Sequence, residues 1–216
     1  MLFDVRVVLP DRPGALARVA DLMGSCGGDI VGVQVLGREG GRAIDDFRVS
    51  LSSGAEARLR ERLERDPALA LLSLRMSTSS PGSHLELDLI EHAYRQPERA
   101  VETFTDMAPA VFAADWACAI SGTGDGAEVF YCSPGAPQVD LTEVGETPAR
   151  AGRVQPRGFG SEDEVTMLGA PFPGGVTVLV ARSEPVFHPL ELSTFRRVSE
   201  LVAMMASAPR PIALPA

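Results

Sequence analysis

The chain has 216 residues, 45% hydrophobic and 23% charged, which is enough for one large domain or two small ones with buried cores. Its formal net charge of -9 argues against nucleic acid or an anionic membrane as the main partner, because both require a clustered positive surface. No apolar run is long enough to cross a membrane and the first residues lack a signal-peptide pattern, so we expect a cytoplasmic protein.

The sequence contains no recognisable catalytic or metal-binding motif. It has no Gly-x-Ser-x-Gly elbow, no His-x-x-x-His spacing and no Gly-Lys-Ser phosphate loop. The cysteines are odd in number and widely spaced, which predicts neither a disulfide framework nor a zinc site and favours buried free thiols. We therefore expect a non-catalytic protein without a metal or a cofactor. The isolated side chains behind this expectation are Cys26, Cys118, Cys132, His84, His92 and His188.

Residues 1–76 predict the order β-α-β-β-α-β, which is the ferredoxin-like arrangement. The expected strands cover residues 2–9, 30–36, 47–51 and 69–76, and the second expected helix covers residues 55–65. The first helix ends at Gly27–Gly28, and its buried face is expected to carry Leu16, Val19, Ala20 and Met23.

The turn between the first strand and the first helix carries the strongest functional signal. Asp11 is expected to cap the helix, which presents free N–H groups to a ligand carboxylate. Asp11 and Asp29 are expected to accept hydrogen bonds from an ammonium group, so together the turn and the acids suit an α-amino acid. The alternative is that these residues form only a cap, a turn and a strand start. The candidate ligand-binding residues are Asp11, Arg12, Pro13, Gly14, Ala15, Leu16, Asp29 and Ile30.

Residues 1–76 resemble the ACT family. The resemblance lies in the spacing of Asp11-Arg12-Pro13-Gly14-x-Leu16, in Gly28-Asp29-Ile30 about fifteen residues later, and in the order of the predicted elements. It implies a homodimer that pairs through sheet edges or helices, with an amino-acid effector bound at the interface near the first loop. This sequence has Leu9 where the serine-binding type has His, and Asp11 and Asp29 where known binders often have Asn. Some ACT domains bind no ligand and only dimerise.

A second domain is predicted over residues 85–207, after a flexible linker over residues 77–84 and before a Pro-rich tail over residues 208–216. Residues 85–94 fit a helix or a strand, and we favour the helix. Residues 98–114 predict a helix that Pro109 kinks or ends early. The remaining expectations are strands over 116–120, 129–132, 165–170 and 176–181, a long loop over 133–163 and a closing helix over 188–206, with Phe195, Val198, Leu201, Val202 and Met205 buried.

Residues 85–207 more weakly resemble a GAF domain, in two helices leading into paired strands and a closing helix. The resemblance implies a small-ligand cavity over the sheet or a dimerisation module. The second-domain cavity residues are then Trp116, Cys118, Ile120 and Tyr131, although such residues also fit an ordinary core. The predicted 133–163 loop contains three arginines, Arg150, Arg153 and Arg157. They indicate either a loop that attracts an anion or a loop that is simply exposed to solvent.

Three functional hypotheses follow. The first is a regulatory protein that senses an amino acid through the ACT-like domain and relays binding to the second domain. The second is a ligand-free module that dimerises or docks on a protein partner. The third is an enzyme that uses the long loop of the second domain, and it lacks a cluster of titratable residues in the sequence.

Overall fold

The computed structural model describes residues 1–77, 84–122, 126–142, 144, 146–155 and 165–207. The chain divides into two compact units, Met1–Ser83 and His84–Ala216. Nearly all of the predicted linker and the whole predicted tail lie outside the described residues. Both units contain an antiparallel sheet flanked by helices, so the predicted α+β class is confirmed.

The first unit has the predicted β-α-β-β-α-β order. Its sheet has the strand order β2-β3-β1-β4, and every pair of neighbours is antiparallel. β2 and β3 both extend to the hairpin tip and are longer than predicted. The elements are β1 (Leu2–Pro10), α1 (Ala15–Ser25), β2 (Asp29–Glu39), β3 (Arg42–Ser50), α2 (Ala55–Arg65) and β4 (Ala70–Met76).

The core of the first unit lies between the sheet and its two helices. Alternate residues of β1 face the helices and are buried, as the period of two predicts. On α1 only Val19 and Met23 are buried, whereas Leu16 is 45% exposed, so the predicted buried face was too wide. The opposite face of the sheet carries cross-strand ion pairs, Arg6 with Asp46 at 2.7 Å and Arg48 with Asp4 at 2.8 Å.

The second unit places three helices on one face of a five-stranded sheet of order β6-β5-β9-β8-β7. Residues 85–95 form a helix, as favoured, and the helix containing Pro109 ends two residues later. The predicted 133–163 loop contains a short strand, β7, that the sequence analysis missed. The elements are α3 (Leu85–Arg95), a 3₁₀ turn (Pro97–Arg99), α4 (Ala100–Val111), β5 (Trp116–Ser121), β6 (Glu128–Cys132), β7 (Gly152–Val154), β8 (Thr166–Phe172), β9 (Val176–Arg182) and α5 (Pro189–Ser207).

Two apolar clusters cover the two faces of the second sheet. The helix-facing cluster is aromatic, and its four rings have centroids 5.1–6.1 Å apart: Phe104, Phe112, Phe172 and Phe195. The other face is covered by Val139, Leu141 and Val144, from the segment that follows β6. Leu201 of α5 is 39% exposed and does not belong to the buried side that was predicted.

A buried ion pair fixes the start of α5. Arg182 on β9 is 1% exposed and makes two hydrogen bonds to Glu191, at 2.9 and 2.8 Å. Glu191 also accepts a hydrogen bond from the backbone N–H of His188 at 2.6 Å, as the acid of a helix first turn does. The guanidinium of Arg182 stacks 3.9 Å from the ring centre of Phe187.

Within the described residues, no helix combines the length and apolar character that crossing a membrane requires.

Candidate functional site

The loop between β1 and α1 is held against the tip of the β2–β3 hairpin. The N–H of Asp11 donates to the carbonyl of Gly41 at 2.9 Å, and the N–H of Arg12 donates to the carbonyl of Pro10 at 2.9 Å. These bonds close the turn at the end of β1 and place the start of α1 beside it. The loop therefore lies at one defined end of the first sheet.

The start of α1 has free backbone donors. Gly14 is the N-cap residue, with φ of 87° and no side-chain cap, so the expected cap by Asp11 was wrong. Ala15 N–H donates to the carbonyl of Arg12 at 3.2 Å, but the N–H groups of Gly14, Leu16 and Ala17 have no acceptor among the described residues. A Cβ atom at Gly14 would meet no other atom within 4 Å, so the space directly beside its Cα is open.

One side of the loop opens into a groove of about 760 Å³ between α1 and the turn before β4. Arg18 and Asp66 form an ion pair at 2.5 Å across it, and this hydrogen bond holds the pKa of Asp66 below its usual range. Arg62 donates to the hydroxyl of Ser25 at 2.9 Å. Four predicted site residues line the groove, namely Arg12, Pro13, Gly14 and Ala15.

Asp11 of the loop belongs to a cluster of three charged residues, with Arg38 and Asp45. Arg38 Nε lies 3.7 Å from Asp11 Oδ1, and both side chains are solvent-exposed. Asp45 is 1% exposed, and its Oδ1 has no hydrogen-bond partner in the described structure. It pairs with Val7 on one side and Val35 on the other, so its side chain stands on the helix-facing side of the sheet.

The electrostatic surroundings of Asp45 disfavour its charged form. Burial raises the pKa of the Asp45 carboxyl, and the neighbouring carboxylates of Asp46 and Asp11 raise it further. Arg38 opposes this rise but does not cancel it. A buried carboxylate without a hydrogen bond costs folding free energy and requires an explanation.

Asp29 and Ile30 do not join this site within one chain. Asp29 pairs with Ser50, which pairs with Leu2 at the start of β1, whereas Asp11 follows Pro10 at its end. At about 3.4 Å per residue of strand, the two aspartates lie roughly 27 Å apart. Asp11 and Asp29 of one chain therefore do not meet, and their convergence at a boundary between two chains stays a prediction.

The neighbours of Asp29 have structural roles. Ile30 packs against the core of the first unit. A Cβ atom at Gly28 would lie 2.9 Å from Val49 Cγ1 and 3.0 Å from the Met23 carbonyl oxygen, so glycine allows the close approach of α1 and β2.

The residues predicted to line a cavity in the second unit lie on opposite faces of the sheet. Trp116, Cys118 and Ile120 contribute to the cluster beneath the segment after β6. Tyr131 packs on the helix-facing side, where its hydroxyl donates to Asp106 at 2.8 Å, so it does not line the same cavity.

The predicted arginine-rich loop is divided between different environments. Arg150 is exposed, Arg153 donates to the carbonyl of Phe187, and Arg157 lies outside the described residues. Among the described residues, no cluster of three or more His, Cys, Asp or Glu side chains is suited to a metal ion.

No protein-family model matches the chain, and no curated protein matches it. Among solved structures, a chain described as the GAF domain of a sensor histidine kinase from Pseudomonas syringae pv. tomato has a TM-score of 0.41 and 16% identity, over 57% of this chain and 83% of that one. A chain described as a glycine cleavage system transcriptional repressor has a TM-score of 0.31 and 14% identity, over 88% and 85%. A formyltetrahydrofolate deformylase from Pseudomonas putida KT2440 has a TM-score of 0.29 and 16% identity, over 44% and 38%. The functional conclusion therefore depends on the chain's own geometry.

Asp45 is a residue of the candidate site that is absent from the set predicted from the sequence. The Asp45–Asp46 pair showed that one carboxylate of the two had to face the helix layer, because neighbouring strand residues point to opposite faces. Asp46 pairs with Arg6 on the open face, and Asp45 is the buried one. The signal was present, but an acidic pair is too common in sequences to be specific.

Proposed function

We propose that the chain is a non-catalytic regulatory protein that binds a small zwitterion, an α-amino acid, at the loop between β1 and α1. The observation that carries this proposal is the buried Asp45 side chain, whose Oδ1 accepts no hydrogen bond within the described residues, at the sheet end where α1 begins. The free N–H groups at the start of α1 bind the ligand carboxylate, and Asp11 and Asp45 bind its ammonium group. The two charges of an amino acid match these two features.

Binding of a ligand ammonium group at Asp11 displaces only a weak ion pair. Asp11 and Arg38 are 37% and 65% exposed, and pairs of this kind contribute between zero and about 1 kcal/mol. A ligand ammonium replaces the guanidinium as the partner of Asp11 and also satisfies Asp45. Arg38 is then free to bind the ligand carboxylate, as arginine does in many sites.

The direct test measures the shift of the thermal midpoint on adding each of the common amino acids, for the wild type and two variants. Asp45→Asn keeps the shape of the side chain and removes its charge, so we expect the ligand-induced shift to disappear. Asp29→Asn is the matched control, and we expect it to keep the shift because Asp29 lies at the other end of the sheet. Loss of the shift in Asp29→Asn alone would place the ammonium group elsewhere, at a boundary between two chains.

A second candidate function, ligand-free dimerisation, is favoured by the edge strand β2. Val31, Val33 and Val35 of this strand are 43%, 50% and 42% exposed, although valine normally packs against a neighbour. Antiparallel pairing of two copies centred on Gln34 would place Val33 of one copy opposite Val35 of the other. The same pairing brings Asp29 of one chain near Arg38 of the other, where their charges are complementary.

We further propose that ligand binding in the first unit is relayed to the second unit through the linker. Such coupling requires different ligand affinities for two arrangements of the protein, and about 1 to 3 kcal/mol is typical. Hydrogen exchange of the second unit, with and without a ligand that binds the first, measures it. Unchanged exchange in residues 84–207 at saturating ligand would contradict the relay and leave the binding proposal intact.

A further inference from the structure

Cys118 and Cys132 are direct cross-strand neighbours in the second sheet. Cys118 on β5 pairs with Cys132 on β6, so the two side chains lie on the same face. The next residues are a hydrogen-bonded pair, because Ser133 N–H donates to the carbonyl of Ala117 at 2.9 Å. Antiparallel pairs alternate, so Cys118 and Cys132 form a non-hydrogen-bonded pair.

This kind of pair is close enough for a disulfide. Residues in a non-hydrogen-bonded antiparallel pair have Cα atoms about 4.5 Å apart, and disulfides join Cα atoms about 4.4–6.8 Å apart. Neither strand needs to change its register for the two sulfur atoms to meet. The sequence alone does not reveal this pair, because the two cysteines are about fourteen positions apart. Only the register of the two strands places them opposite each other.

The two thiols have different environments. Cys118 is 0% exposed in the cluster beneath the segment after β6, whereas Cys132 is exposed, which corrects the expectation that all three thiols are buried. Burial raises the pKa of the Cys118 thiol to about 12, and nearby Cys132 contributes to the rise. An oxidant in solution therefore reaches Cys132 first, because reactivity depends on exposure and on thiolate character.

We propose that Cys118 and Cys132 are a site of reversible disulfide formation, with a peroxide as the oxidant. Hydrogen peroxide converts the Cys132 thiol to a sulfenic acid and releases one water molecule. The Cys118 sulfur then attacks the Cys132 sulfur, the S–O bond breaks, and the Cys118 proton leaves with the hydroxyl as a second water molecule. Both thiols are oxidised by a single peroxide, and a dithiol reductant reverses the reaction.

The bond would lie where β6 ends and the covering segment begins. Ser133 directly follows Cys132, and its hydroxyl accepts a hydrogen bond from the Ala117 N–H at 2.9 Å. Val139, Leu141 and Val144 of the following segment pack over Cys118 and its neighbours. A disulfide therefore fixes the start of this segment to β5.

The experiment treats the whole reduced chain with hydrogen peroxide, counts free thiols after denaturation, and maps disulfides by mass spectrometry of unreduced peptides. We expect the three thiols of the chain to fall to one, with Cys26 left free and an intramolecular link between Cys118 and Cys132. Cys26→Ser should form the same link. Dithiothreitol should restore the lost thiols.

Two variants keep the test decisive if substitution of the buried cysteine disturbs folding. Cys132→Ser changes an exposed side chain, and it should abolish the link while preserving the thermal midpoint. Cys118→Ser should leave Cys132 as a trapped sulfenic acid that a dimedone probe labels. The proposal is overturned if the wild type keeps three thiols, if Cys132 is oxidised only to sulfinic acid, or if the product is a link between two chains.

Discussion

Asp45 occupies a position where a carboxylate lowers the stability of the fold. Its side chain is buried beside Val7 and Val35, its Oδ1 accepts no hydrogen bond, and Asp11 and Asp46 repel its charge. Groups of this kind are retained at functional sites more often than in inert cores, because a ligand can supply the missing partner. Under the proposed function, the ammonium group of the ligand would supply this partner.

The pH dependence of stability tests this view of Asp45. The pKa of the carboxyl is raised in the folded state, so the protonated form favours folding, and this contribution is lost as the pH rises through the folded pKa. We expect Asp45→Asn to be more stable than the wild type at neutral pH, by about 1–3 kcal/mol. The difference should shrink as the pH falls through the raised pKa, in urea unfolding curves taken at several pH values. A variant that is less stable than the wild type at pH 7 would show that Asp45 has a stabilising partner.

The start of α5 depends on one buried ion pair between two elements. Arg182 is fully enclosed on β9, and Glu191 in the first turn of the helix is the carboxylate that pairs with it. Removing one member of a buried pair leaves an uncompensated charge, which costs more than the pair itself contributes. The helix and the strand are therefore coupled through these two residues.

Glu191→Gln should lower the free energy of unfolding by about 3 kcal/mol, because Arg182 remains charged and buried. Glu200→Gln on the same helix is the control, since Glu200 is exposed and changes of this kind stay within about 0.5 kcal/mol. Urea denaturation followed by circular dichroism measures both. Equal stability of the two variants would mean that Arg182 finds another partner once Glu191 is neutral.

The elements differ in how far the sequence could predict them. β1 and α2 were predictable because one buried face imposes a clear period of two or of 3.6 on their residues. β7 has only three residues, including Gly152. It forms because it pairs with the edge of β8, and a local sequence pattern does not predict such a pairing. Leu16 fits the apolar stripe of α1 but is exposed. The stripe alone does not show which of its residues the sheet covers.

The site could be predicted in part. The turn residues predicted a helix start after β1 but placed its cap at Asp11 and not at Gly14. The desolvation of Asp45 depends on neighbours from three strands, which a local pattern does not show. The separation of Asp29 from Asp11 within one chain follows from the order of the elements. In a β-α-β unit the helix returns the chain across the whole sheet, so β2 must begin at the end where β1 begins, away from Asp11.

At the scale of the whole molecule, the edges of the first sheet bear on assembly. β2 and β4 are the two edge strands, and β2 presents the longer exposed apolar row. An unpaired edge with exposed valines is a template for strand pairing with a second copy. We therefore expect a homodimer of this chain to pair through β2.

Val33→Lys should convert the dimer to a monomer, because a lysine on an edge strand opposes pairing with another strand. Leu72→Lys is the matched control on β4, the other edge, where leucine is 39% exposed. Analytical ultracentrifugation measures the mass of each variant. A wild type that sediments as a monomer, or a dimer that Leu72→Lys disrupts and Val33→Lys does not, would exclude β2 as the interface.

The central claim is that one chain holds a complete zwitterion site at the start of α1. Isothermal titration of the purified chain with each of the common amino acids tests it most directly. We expect saturable heat from at least one amino acid, with one ligand bound per chain, retained in Asp29→Asn and lost in Asp45→Asn. Silence from every amino acid, or unchanged binding in Asp45→Asn, would contradict it.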